Sequence, residues 1–190
     1  MLENALERRN YSVKMKITVK MLVSLGVIAL AVVLPQAAHL IFGEGAGVTL
    51  LPMYLPVLLG GCLLGWKWGV GVGIASPLFS YLVTSAFGAA MPAQARLPFM
   101  MAELTVFAVV AGLFSKGIEK KAWLAFPAVI MAEVCGRASF LALVAVFASR
   151  TPFTVAMIWG QIKTGIVGLA IQAVLVPVVV IALRKLMDKE

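Results

Sequence analysis

The chain has 190 residues, of which 62% are hydrophobic and 13% charged, against about 25% charged in a soluble domain, and its mean hydropathy is +1.03. These values exclude a water-soluble globular domain and predict an all-α, polytopic membrane protein. A formal charge of +8 would suggest nucleic acid as partner of a soluble protein, but here the basic residues flank apolar runs, where they set orientation. No nucleic-acid partner is expected.

Residues 1–20 form a basic arm, followed by the apolar run Met21–Leu34 and then Pro35-Gln36-Ala37-Ala38. A cleaved leader would need a small residue at Gln36, and the apolar pattern runs on through Phe42, so residues 21–42 are read as an uncleaved first helix. Five further spans follow at approximately 50–65, 68–86, 97–115, 122–148 and 164–183, the last able to start several residues earlier outside the hydrocarbon. About 20 apolar residues cross a hydrocarbon core of roughly 30 Å. Residues 1–190 are thus filled by a single compact bundle of six transmembrane helices. The separators are rich in glycine, proline or charge, as in Gly43-Glu44-Gly45-Ala46-Gly47 and Gly65-Trp66-Lys67-Trp68-Gly69.

On alternate sides of these spans the basic residues divide unequally. Arg8, Arg9, Lys14, Lys16, Lys20, Lys67, Lys116, Lys120, Lys121, Arg184, Lys185 and Lys189 fall on one side, and only Arg96 and Arg150 on the other. A twelve-to-two bias predicts that both termini are cytoplasmic. Cys62 and Cys135 lie in apolar runs without a Cys/His cluster, so neither a disulfide framework nor a metal site is expected. Gly61, Gly65, Gly69 and Gly73 recur at spacings of four; they suit close helix packing within the chain or docking of a partner subunit.

Ionised groups at membrane depth cost a few kcal/mol or more unless paired or hydrated, which singles out Glu103, Glu133, Arg137 and Lys163. Glu133 and Arg137, four apart on the fifth span, could neutralise each other or serve a ligand. Lys163 could snorkel beside the interfacial Trp159 or turn inward. Glu103 has no counter-ion on its own helix, so it must find one on another helix or face a cavity. His39 and Gln36, with Tyr81, Thr84 and Ser85, also lie toward the outer ends of their spans. The outer half is therefore polar and the inner half almost purely apolar. Such an arrangement can capture a solute but gives it no polar path across, unlike a channel. The expected substrate-binding residues are Glu103, Arg137, Lys163, Tyr81, Trp159, His39 and Glu133, with charged groups from three helices converging on one cavity. No nucleotide-binding motif, nucleophile with its base, or cofactor signature occurs, so no enzyme and no cofactor is expected.

The stretch Gly69-Val-Gly-Val-Gly-Ile-Ala-Ser-Pro-Leu-Phe-Ser80, then Ala90-Met91-Pro92 and Leu97-Pro-Phe-Met-Met-Ala-Glu-Leu104, together with the length and the six spans, resembles the substrate-binding S components of energy-coupling factor (ECF) transporters. The resemblance implies capture of a vitamin or vitamin precursor from outside a prokaryotic plasma membrane. It also implies delivery with a transmembrane coupling subunit and two ATPase subunits. Family members commonly meet the coupling subunit through an Ala-x-x-x-Ala motif on the first helix. Here Ser24, Gly26, Ala29 and Ala31 are the small residues available for docking, and they do not make that spacing. The rival readings are a stand-alone small-solute permease, which needs polar access to the inside, and a membrane scaffold, which needs no pocket.

Overall fold

The computed structural model describes residues 2, 6, 12–43, 45–88 and 90–189. Its elements are helical throughout: α1 Val13–Phe42, α2 Ala46–Leu50, α3 Tyr54–Leu64, α4 Trp66–Ala86, α5 Leu97–Leu113, α6 Ser115–Lys120, α7 Ala125–Val146 and α8 Val155–Lys189, with short 3-10 turns before α5, α7 and α8. Among the described residues, six segments are long and apolar enough to cross a membrane, α2 and α3 together making the second.

Two boundaries differ from the sequence reading, each for a local reason. Helix α1 begins at Val13, where Ser12 Oγ accepts from the Met15 amide at 3.3 Å. Lys14, Lys16 and Lys20 are good helix formers, so the helix runs beyond the apolar segment that hydropathy detects. The last helix starts at Val155, an earlier start of the kind the sequence reading allowed for. The second span is broken. Leu51 adopts a left-handed conformation (φ 50°, ψ 48°), and Pro52 follows without an amide hydrogen to offer. Helix α2 therefore ends and α3 restarts at Tyr54.

Helix α5 is the centre of the bundle, packed against α3, α4 and α7. Close approach to it is set by glycines on two different helices. A Cβ at Gly61 of α3 would lie 2.5 Å from the Ala108 carbonyl oxygen, and one at Gly69 of α4 would lie 2.9 Å from the same atom. One turn further, a Cβ at Gly73 would come within 2.5 Å of Thr105 Cα. The four-residue glycine spacing thus survives the turn at Gly65 because both helices lean on one ridge of α5. Internal packing, rather than partner docking, is its use at these positions.

Helix α1 covers one flank through Ser24, Val27, Ala31, Pro35 and Ala38, spaced three or four apart as one face of a helix. Its opposite side exposes Leu22, Leu25, Leu30 and Val33, as a lipid-facing surface does. The four small residues considered for docking split between these two sides. Ser24 and Ala31 are buried, and only Gly26 and Ala29 are exposed, because positions two and five apart cannot share a helix face.

Candidate functional site

The α2–α3 break shapes the site. Gln172 of α8, buried in the bundle, donates its side-chain amide to the carbonyls of Leu50 at 2.9 Å and Leu51 at 3.0 Å. Those are carbonyls that a continuous helix would have used itself. Gly165 and Gly168 let α8 come this close: a Cβ at Gly168 would stand 2.5 Å from the Thr49 carbonyl oxygen. The turn held in this way directs Tyr54 inward at the start of α3.

The Tyr54 hydroxyl donates to Glu103 Oε2 at 2.8 Å. Glu103 Oε1 in turn lies 3.0 Å from Arg137 Nη1, in an ion pair whose alignment falls short of a hydrogen bond. The Arg137 guanidinium rests over the Tyr54 ring, 4.8 Å from its centroid. The same ring packs edge-to-face with Phe107, their centroids 4.9 Å apart. Tyr54, Glu103 and Arg137 are all buried. Helices α3, α5 and α7 are therefore joined at mid-bundle by one charged cluster.

Above this cluster opens a cavity of about 350 Å³. Its walls come from Pro35 and His39 of α1, Gly47 and Val48 of α2, residues 51–54, Ser80 of α4, residues 90–93, Arg96, and Met100 of α5. The surface is mostly apolar, with Tyr54 as floor. The 90–93 segment is pinned to α4 through Met91: its amide donates to Thr84 Oγ1 at 2.7 Å and its carbonyl accepts from Ser80 at 2.9 Å. Gly47 makes room for His39, since a Cβ there would sit 2.8 Å from the imidazole Nε2.

Of the residues singled out from sequence, His39 lines this cavity. Glu103 and Arg137 are brought together but lie behind Tyr54, outside the lining. Glu133 is buried one turn before Arg137, its Oε1 without a hydrogen-bond partner; the 3.0 Å partner of Arg137 is Glu103. Tyr81 is half-buried and outside the lining. Trp159 is 53% exposed and Lys163 is exposed on α8. The structure does not bring these two to the cavity, because the stripe of α8 that turns inward is the one carrying Gly165, Gly168 and Gln172.

Tyr54 and Arg96 were missed in the sequence. Tyr54 had a signal, as a phenol inside an apolar span that also holds Pro52. Arg96 reads in the sequence only as a loop charge.

No curated protein and no solved structure matches the chain. A family model, described as ECF transporter, substrate-specific component, matches residues 20–180. That match reaches into all six membrane-crossing segments, four of them whole, and takes in every residue of the cavity and of the charged cluster beneath it. The chain belongs to the substrate-specific components of ECF transporters.

Proposed function

We propose that this subunit captures a vitamin-class solute in the cavity over Tyr54, from the outer side of a prokaryotic plasma membrane. It then delivers the solute inward together with a transmembrane coupling subunit and two ATPase subunits. The observation that carries this reading is the position of the cavity. It lies at the end of the bundle built from residues 39–54 and 80–100, and the distribution of basic residues favours the outside for that end. Cavities of roughly 300 Å³ and more, largely apolar with a few polar groups, are the usual form of a small-molecule site.

Beneath the cavity, α5 is closed by Leu104, Phe107, Ala108 and Ala111, all fully buried. A solute held above them has no polar route onward, which supports dependence on partner subunits and on an external energy source. The reading also keeps Glu103, Arg137 and Glu133 as supports of the site rather than direct contacts, with His39 at the solute.

Native mass spectrometry of the purified full chain tests the assignment. Wild-type protein should carry one small molecule. Gly47→Trp, which fills the space beside His39, should lose it, and Leu113→Trp, a substitution at an exposed position at the opposite end of α5, should keep it. Equal retention by all three proteins would place the solute elsewhere.

A further inference from the structure

Among the described residues, the ion pair between Glu103 and Arg137 leaves one cation at the cavity without a carboxylate. Arg96 lines the cavity, makes no ion pair with any described residue, and has its buried Nε without a hydrogen-bond partner among them. It is held from behind, its guanidinium carbon 5.6 Å from the centroid of the Phe140 ring. Phe140 is itself fixed in a second apolar cluster with Phe99, Val144 and Ile158. Arg96 is thus a braced cation beside largely apolar walls.

The other polar groups at the cavity are differently placed. The Tyr54 hydroxyl donates to Glu103, and the Ser80 hydroxyl donates to the Met91 carbonyl. His39 is the remaining side chain with polar atoms at the wall. Among the described acids nearby, Glu103 is ion-paired with Arg137 and bonded by Tyr54, and Glu133 does not line the cavity.

We propose that Arg96, assisted by His39, recognises a single carboxylate on an otherwise apolar or weakly polar solute. This inference deepens, and rests on, the assignment of the cavity as the solute site. A guanidinium presents a planar fork of donors that matches a carboxylate. A desolvated charge needs a partner of opposite sign, and one unpaired arginine balances one negative charge. A cationic solute would leave two like charges together, and a doubly charged phosphate monoester would bring a charge that nothing at the wall balances.

The test uses the full chain in detergent and four small probes with the same aromatic body: benzoate, benzamide, benzylammonium and phenyl phosphate. Each is titrated while the thermal unfolding midpoint is followed, since a ligand of the folded state raises it. Benzoate should stabilise the wild type more than the other three. Arg96→Gln should weaken the benzoate response at least about tenfold, and Arg96→Lys should restore part of it. The midpoint of each variant without probe reports whether it is folded.

Stabilisation by benzamide or benzylammonium equal to that by benzoate would overturn recognition by charge while leaving the cavity as a solute site. A stronger response to phenyl phosphate would overturn the single-carboxylate assignment. An unchanged benzoate response in Arg96→Gln would remove Arg96 from the site. Wild-type protein indifferent to all four probes would overturn the proposal, whereas a molecule retained in native mass spectrometry would still support the cavity assignment.

Discussion

The Tyr54 hydroxyl donates to Glu103 at 2.8 Å, so the residue that floors the cavity is tied to a charge pair that does not itself reach the cavity. Tyr54→Phe removes this bond and leaves Glu103 Oε2 without its donor. Hydrogen bonds between membrane helices are worth about 0.6 kcal/mol on average, up to about 1.7. A loss within that range is expected in unfolding titrations, together with weaker solute retention because the floor is no longer fixed.

Breaking the ion pair should cost more. Glu103→Gln or Arg137→Gln strands a buried charge, and loss of one partner of such a pair costs about 3–5 kcal/mol. Glu103→Leu combined with Arg137→Met should recover part of that stability, since neither member of the pair is left as a lone charge, while the buried Glu133 loses its neighbouring cation. A double-mutant cycle on unfolding free energies measures the coupling. Strictly additive losses would show that the two groups act separately.

Gln172 acts on the cavity from outside it. Gln172→Leu leaves the Leu50 and Leu51 carbonyls without the donor seen at 2.9 and 3.0 Å. Gly168→Ala pushes α8 away from the Thr49 carbonyl, which is 2.5 Å from the added atom. Both should lower solute retention, as measured by native mass spectrometry, although neither residue lines the cavity. Normal retention in both variants would mean that the α2–α3 break holds its shape without α8.

Trp159→Ala and Lys163→Ala provide the contrast. Both side chains are exposed and outside the cavity lining, so each should alter stability by no more than about 0.5 kcal/mol and leave retention unchanged. A marked loss of binding in either would restore the direct role that the sequence suggested.

What could be read from the sequence was what depends on composition and spacing. The six spans followed from hydropathy because lipid admits few alternatives to continuous helices. Glu103 was recognisable as needing a partner on another helix, since no basic residue lies near it in α5. Its pairing with Arg137 rather than Lys163 was not legible, because that depends on how α7 and α8 rotate about their axes. The α2–α3 break was hidden for a related reason: the Leu50 carbonyl it frees accepts from Gln172, far away in the chain. Arg96 illustrates a different limit. A loop arginine counts toward topology in any membrane protein, and only its packing over Phe140 shows that it is held at a wall.

Uptake into proteoliposomes tests the central claim most directly, using the solute identified by mass spectrometry. The account predicts accumulation against a gradient only when this chain is reconstituted with its coupling subunit and ATPase subunits and ATP is supplied. The chain alone should bind solute without accumulating it. Concentrative uptake by the chain alone would contradict the account and make it a self-sufficient permease.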